Sequence, residues 1–339
     1  MQGKTYARIN VPYAPNLAYN ARFYQLSDVM ELIRGLHNIR PKHKGCVATI
    51  GAFDGVHRGH QAVLNKLKEK AQELGLPSLV ITLEPLPREF FAPKKAPARV
   101  MSFREKYQAL KEQGIDRVLR VHFNRELSLV SAEDFIQHIF HDQLAIKFMV
   151  VGDDLRFGHE RRGDFSLLER LGKQLGFAVA DTSTLISDGE RVSSTRIRKA
   201  LQEADFALAQ RLLGRAYSMS GKVVYGQQLG RTIGVPTANL QLHRIKAALS
   251  GVYAVKAVVD GKSYPAVANI GTRPTVNDGL KAILEVHLLN FQQNLYGKHM
   301  QVIFCQKLRD EKKFASIDLL KQAIQDDIQK TQQFFSEKQ

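Results

Sequence analysis

The chain of 339 residues carries two cysteines, Cys46 and Cys305, too few for a disulfide framework or a thiolate metal cluster. Both stand in apolar, strand-like runs, where free cysteine behaves as a small buried hydrophobe. The expectation is two unpaired thiols in a reducing compartment, the cytoplasm. No apolar run approaches the roughly 20 residues that a bilayer-spanning helix needs, and the N-terminus lacks the apolar core of a secretory leader. An arginine-rich arm, zinc-finger spacing and the aromatic signature of RNA-binding sheets are missing too. Those absences matter because a net charge of +16 is otherwise what a nucleic-acid binder carries. The basic residues are spread along the chain, often beside acids, as in Lys66-Leu-Lys-Glu-Lys70 and Arg309-Asp-Glu-Lys-Lys313. Solvated faces and attraction for small polyanionic substrates account for the charge; neither a nucleic acid nor a membrane is expected as partner. A Walker A loop is also lacking, since the only Gly-Lys-Ser, at 261–263, has no upstream glycine at the required spacing.

What is present divides the chain in two, and its length allows each part a core of its own. Residues 1–29 hold Pro12, Pro15 and three asparagines without sustained periodicity, and read as a loosely ordered extension dispensable for activity, with Met30 as the functional start. Between Gly45 and Gly214, apolar strands (Cys46–Ile50, Ser78–Leu83, Phe148–Val151, Phe177–Ala180) alternate with helical patterns. One helix carries Ala62, Val63, Leu67, Ala71 and Leu74 on its apolar face, and Ser131-Ala-Glu-Asp134 opens another. Such alternation predicts an α/β, Rossmann-like, doubly wound and mostly parallel sheet over 30–214. Past Gly214 consecutive strands dominate. Gly251–Val259 and Ser263–Ile270 flank Asp260-Gly261, a hairpin signal, and Leu284–Leu289 and Met300–Cys305 follow. A closed antiparallel β-barrel over 215–339 removes the strand edges, ending in a helix from about Ser316 with Leu319, Leu320, Ala323, Ile324 and Ile328 inward. A fragment starting near Gly214 should then fold alone.

Three clusters in the first half carry chemistry. Gly51-Ala-Phe-Asp-Gly-Val-His-Arg-Gly-His60 follows a strand and opens a helix, which aims backbone N–H groups and the positive end of a helix dipole at an anion. His57 and His60 would reach the same anion; the bland alternative is a chance pair in a loop. Ser193-Ser-Thr-Arg-Ile-Arg198 is a hydroxyl-rich helix start, which capping alone could explain. Val151-Gly-Asp-Asp-Leu-Arg-Phe-Gly158, with Arg162-Gly163, begins at a strand end, where parallel sheets bind ligands. There Asp154 and Arg156 are either ligands or a structural ion pair. In the second half, Gly226, Gly230 and Gly234 punctuate a loop whose backbone can approach phosphates. Thr237 and Asn239 offer oxygens suited to Mg²⁺, although Pro236–Asn239 also reads as a plain turn. Glu285 is a lone carboxylate in an apolar strand, a candidate general base or half of a salt bridge.

The first cluster resembles the signature of the nucleotidylyltransferase superfamily. The three in order resemble the N-terminal module of bacterial bifunctional riboflavin kinase/FAD synthetases. Gly221–Gly226, Leu229–Asn239, Ala268–Thr275, Leu284–His287 and Leu308–Phe314 are similar to the riboflavin kinase module of that family, so the resemblance runs over about 31–335. It implies that ATP phosphorylates riboflavin to FMN in the barrel, and that FMN then attacks a second ATP in the α/β domain to give FAD and pyrophosphate. His57 and His60 would hold phosphates, with Gly51, Phe53, Asp54, Gly59, Ser194, Thr195 and Arg198 around them. Gly226, Gly230, Arg231, Gly234, Thr237 and Asn239 would hold the kinase ATP, with Mg²⁺ on Thr237 and Asn239 and Glu285 as base. Asp154, Arg156, Arg309, Glu311 and Phe314 would contact flavin. Departures from the family pattern stand at Leu83 and Leu155, where an aromatic is usual, at Val276, where Phe is, and at Asn290, where Asp is. Another phosphorylated acceptor, such as nicotinamide mononucleotide or phosphopantetheine, is the alternative for the first module.

Overall fold

The computed structural model describes residues 30–337 except 227–233, 245 and 276–278. The extension at 1–29, Gly230, Arg231 and Val276 therefore lie outside the described residues. The first sheet contains β1 (Glu31–Arg34), β2 (Val47–Ile50), β3 (Ser78–Glu84), β4 (Arg117–His122), β5 (Phe148–Gly152) and β6 (Ala178–Thr182). Its order is β1-β4-β3-β2-β5-β6, with every pairing parallel. All of β2 and nearly all of β3 is buried, as a sheet covered on both faces demands. β6 differs from expectation: it starts one residue late and, as an edge strand, stays half-exposed, while Phe177 just before it is buried. The charged strands β1 and β4 were not expected, because alternating Arg, Glu and aliphatic residues give no apolar run.

The covering helices are α1 (Arg58–Leu74), α2 (Pro87–Phe91), α3 (Phe103–Glu112), α4 (Arg125–Ser128), α5 (Ala132–Asp134, continued as π-helix to Gln143), α6 (Phe165–Leu175), α7 (Ser194–Gln202) and α8 (Phe206–Leu213). Ser131 caps α5 as expected, accepting from the Asp134 N–H at 3.0 Å. In α1 the buried stripe is Val63, Leu64, Leu67 and Ala71; Leu64 was missed, Ala62 is half-buried and Leu74 is exposed. From β2 the chain winds through β3 and β4 to one side, then through β5 and β6 to the other. The crevice of such a sheet lies past the carboxyl ends of β2 and β5. A small hairpin, β7 (Ile186–Ser187) and β8 (Glu190–Arg191), turns at Asp188-Gly189, both left-handed at φ 52° and 76°.

The second module is a closed barrel of β9 (Ser218–Val224), β10 (Ala238–Gln241), β11 (Gly251–Val259), β12 (Lys262–Thr275), β13 (Gly279–Leu288) and β14 (His299–Arg309), ordered β10-β13-β12-β11-β14-β9. Asp260 and Gly261 have φ 49° and 76°, the two left-handed residues of a type I′ hairpin. The last helix, α9 (Ile317–Ser336), is capped by Ser316. Its inner face is partly polar: Asp327 and Thr331 are the buried residues, whereas Leu319, expected inside, is 56% exposed. Cys46 is buried and Cys305 half-buried, and neither is in a disulfide.

One apolar core runs from α7 and α8 into the barrel, taking in Ile197, Leu201, Leu212, Leu213, Tyr217, Tyr253 and Phe304. Phe206 of α8 stacks on Phe304 at 6.1 Å and meets Tyr253 edge-on at 5.9 Å. A buried charge pair joins the same parts. Arg244, between β10 and β11, places its guanidinium on Glu105 of α3, which also accepts from the Ser220 N–H of β9 at 2.7 Å.

Candidate functional site

β2 delivers the chain into a turn held in a sparsely populated conformation. Phe53, Gly55 and Val56 all have positive φ (47°, 95° and 39°), a strained choice for phenylalanine and a β-branched residue. His57 then caps α1: its Nδ1 accepts from the His60 N–H at 3.3 Å, and the two rings stack 3.6 Å apart at 16°. Phe53 packs against His60 at 5.0 Å between ring centres, and Gly59 leaves room for the His57 ring, since a Cβ there would lie 3.2 Å from Nδ1. Burial, then the charges of Arg191 and Arg215, push His57 down to about 4. Burial and the neighbouring His57 hold His60 well below the ordinary imidazole range. Both rings are thus neutral at pH 7 and offer N–H donors at a helix N-terminus. The His60 Nδ1 is buried without a partner.

The second cluster closes on this turn across 140 residues: Ser194 Oγ donates to the Asp54 carbonyl at 2.8 Å. Arg198 Nη1 reaches the Asp54 carboxylate at 3.0 Å, and Nη2 lies 3.4 Å from Thr195 Oγ1. Ser193, not Ser194, is the cap of α7. The buried Asp54 carboxylate also accepts from the N–H groups of Val100 and Met101 at 3.0 Å each. Its oxygens are therefore engaged inside the protein, tying Gly51–His60 to α7 and to the segment before α3. Asp154 and Arg156 both form ion pairs, though not with each other: Asp154 meets Arg191 of β8 at 2.7 Å and Arg156 meets Asp164 at 3.0 Å.

Beside the turn, a cavity of about 860 Å³ opens at the ends of β2, β3, β4 and β5, lined by Gly51, Leu83, Phe91, Phe123, Leu155 and Phe157 among others. Arg88, Lys95, Arg125, Arg156 and Arg161 also line it. It is an apolar slot with cations around it, the composition that suits a flat ring system bearing an anionic arm. Leu83 and Leu155, both departures from the family pattern, face this one cavity. Phe91 ends α2 and Phe123 follows β4, and neither belongs to a motif, so sequence reasoning missed them; Phe157 stands within the third cluster.

On the barrel, inward Ala282, Leu284, Val286 and Leu288 are buried, and Ile283, Glu285 and His287 alternate outward. The register sets Glu285 opposite Asn239 of β10 on one side and Asn269 of β12 on the other. Gly226 sits so close over Asn239 that a Cβ would collide with its side-chain amide. His287 Nδ1 lies 2.8 Å from the Pro236 carbonyl, to which it donates, anchoring the residue before Thr237; Gly234 is left-handed at φ 82°. The Asn269 Oδ1 is buried with no partner. Among the described residues no group of three His, Cys, Asp or Glu could hold a metal, so the available donors are the neutral oxygens of Thr237 and Asn239 beside one carboxylate. Arg309 forks onto Asp327 of α9 at 3.0 and 2.9 Å and lies 5.5 Å from the Phe314 ring centre, so its guanidinium docks the last helix. Glu311 lies against Gly271, two residues along β12 from Asn269. Arg191, Arg215, Asn269 and His287, and the cavity cations Arg88, Lys95, Arg125 and Arg161, are polar residues at these sites that the sequence reading did not single out. For Arg191 a signal existed in Asp188-Gly189, a hairpin turn like Asp260-Gly261.

Comparison with known proteins assigns both halves. A family model described as FAD synthetase matches residues 39–196, and one described as riboflavin kinase matches 213–335. The chain is 54% identical over 299 residues to the bifunctional riboflavin kinase/FMN adenylyltransferase of Pseudomonas fluorescens, covering 88% of this chain and 96% of that one. Its namesake in Escherichia coli strain K12 is 49% identical over 308 residues, covering 90% and 98%. A crystal structure titled as a macrolide-efflux protein from Streptococcus pneumoniae shares the fold at a TM-score of 0.72 and 28% identity, over 89% of this chain and 99% of that one. No helix among the described residues is long and apolar enough to cross a membrane. With the two family models side by side and the relatives matched almost end to end, the chain belongs to the family of bifunctional riboflavin kinase/FMN adenylyltransferases.

Proposed function

We propose that the family's two reactions run at the two sites described above: FMN adenylylation at the Gly51–His60 turn and its cavity, and riboflavin phosphorylation on the barrel face around Glu285. The observation that carries the first is the meeting of Gly51–His60 with Ser194–Arg198 at the switch point of the sheet, beside an apolar cavity of about 860 Å³. FMN lays its rings in that cavity and its phosphate toward the cations Arg156, Arg161 and Arg125. A phosphate oxygen of FMN attacks the α-phosphorus of ATP as the bond to pyrophosphate breaks, with no covalent enzyme intermediate. Neutral His57 and His60 donate N–H to the phosphate oxygens on which charge builds, with Thr195 and the α1 N-terminus assisting. Asp54, Ser194 and Arg198 keep the turn in shape. Asp154 holds Arg191 near the histidines.

On the barrel, Glu285 takes the proton from the ribityl hydroxyl as that oxygen attacks the γ-phosphorus of ATP and the bond to the departing ADP breaks. Thr237 and Asn239 would hold Mg²⁺, and the orphaned Asn269 oxygen and the Gly226–Asn239 contact fit a face built around a bound group. When bound, the ion would neutralise charge on the ATP phosphates. His287 steadies Thr237 through the Pro236 carbonyl. Glu311 and Phe314 stand at the flavin side, and Arg309 supports them by docking α9. The modules divide at 30–214 and 215–339. ATP, riboflavin, FMN and FAD are the small-molecule partners.

Purified protein incubated with ATP, Mg²⁺ and riboflavin should yield FMN, then FAD, on chromatography. His60→Ala should stop FAD formation while FMN accumulates, and Glu285→Gln should lower FMN formation by about 10²–10⁴ while supplied FMN is still adenylylated. Loss of both activities together in a folded variant, or an unchanged kinase in Glu285→Gln, contradicts the assignment.

A further inference from the structure

Arg215 lies just past α8, within the riboflavin kinase match and outside the FAD synthetase match, yet its guanidinium grips the turn of the first module. Nη2 donates to the Gly55 carbonyl at 2.6 Å, and Nη1 donates to the Val56 carbonyl at 3.1 Å and to the Leu213 carbonyl at 3.3 Å. Gln61 of α1 adds donors to the same Val56 and Leu213 carbonyls, both at 2.9 Å. Each peptide is planar, so the Gly55 carbonyl fixes the Val56 N–H and the Val56 carbonyl fixes the His57 N–H. The backbone so gripped is the strained part, with Gly55 at φ 95° and a wholly buried Val56 at φ 39°. Such conformations persist only where the surroundings over-determine them.

We propose that Arg215 is a positioning residue for adenylyl transfer, supplied from the barrel side of the chain, which fixes the two peptide planes leading into His57. The inference rests on the reading of Gly51–His60 as the nucleotide site. A planar fork with several donors can hold two carbonyls at once; a lysine ammonium on its flexible stem holds that geometry poorly. Arg215 also adds positive charge beside the imidazoles. Its charge and that of Arg191 disfavour a proton on His57, and Asp154 opposes them. Fork and charge can therefore be separated by substitution.

The test uses the full chain in three variants, Arg215→Lys, Arg215→Gln and His60→Ala, with FAD formation measured from supplied FMN and ATP. Both Arg215 variants should lose up to about 10²-fold in kcat, with KM for FMN little changed because the cavity is untouched. Melting temperature and FMN formation serve as checks on folding. NMR titration of the His57 ring should move to higher pH in Arg215→Gln and stay in place in Arg215→Lys. If His60→Ala loses FAD formation while the Arg215 variants keep it, the positioning role is overturned and the site stands. If His60→Ala keeps FAD formation, the site reading falls and this inference with it. An FAD loss matched by equal losses in FMN formation and melting temperature would mark Arg215 as merely structural and overturn the proposal.

Discussion

His57 and His60 stack at 3.6 Å as neutral rings, and that neutrality has a cost in acid. In the unfolded chain an imidazole titrates near 6.5, whereas His57 in the site titrates near 4. As pH falls from about 6.5 toward 4 the unfolded chain binds protons that the native site refuses, so stability falls with falling pH across that window. Denaturant unfolding at pH 7 and pH 5 should show this loss, and His57→Gln should show less of it; an equal loss in both would mean the pair is charged in the native protein. The turn itself was legible at this scale, since Gly-x-Phe-Asp-Gly-Val-His-x-Gly-His is local and each residue answers to its neighbours. Arg244, Arg215 and Asp54 were not legible in their structural roles. The partners that define those roles, Glu105 for Arg244, Gly55 for Arg215 and Val100 for Asp54, lie 139, 160 and 46 residues away, and no spacing in a sequence encodes such a pairing.

Among the elements, α9 depends on an ion pair more than its amphipathic pattern suggests. Asp327 is buried against the Arg309 fork, and burial raises its carboxyl pKa even though the guanidinium works the other way. Removing one partner of a buried pair strands the other, but Arg309 keeps some access to water, so Asp327→Ala should cost no more than about 3 kcal/mol, the low end of such losses. Asp327→Asn should cost less; chemical unfolding of the two variants measures both, and a cost near zero for Asp327→Ala would show that α9 holds by apolar contact alone. Strands with continuous apolar runs, β2, β3, β5 and β11, were readable because burial on both faces or a clean hairpin turn left a pattern. β1 and β4 pair parallel at the sheet margin, where charged residues are tolerated, and so left none. The helix stripe of α1 was read nearly right: Val63, Leu67 and Ala71 are buried as expected, Leu64 joins them, and Leu74, the last residue of the helix, is exposed.

For the molecule as a whole, a core shared by α7, α8 and the barrel changes what a dissected fragment should do. A fragment beginning at Gly214 loses Phe206 from the Tyr253 and Phe304 rings and leaves Arg244 without Glu105. It should melt lower than a fragment beginning at Ser193, which keeps both helices; equal melting temperatures would show that the barrel core closes without them. The cations lining the 860 Å³ cavity have a different consequence. Riboflavin is uncharged, while FMN carries a phosphate, so the field of Arg88, Lys95, Arg125, Arg156 and Arg161 acts on the intermediate and ignores the starting compound. Raising salt from about 0.05 M to about 0.5 M shortens the reach of that field to a few ångströms. Free FMN should then accumulate relative to FAD in a reaction begun from riboflavin, and a ratio indifferent to salt would count against it. The surplus of positive charge would thus work as a retention device, deciding how much half-finished product escapes into solution before the second reaction can claim it.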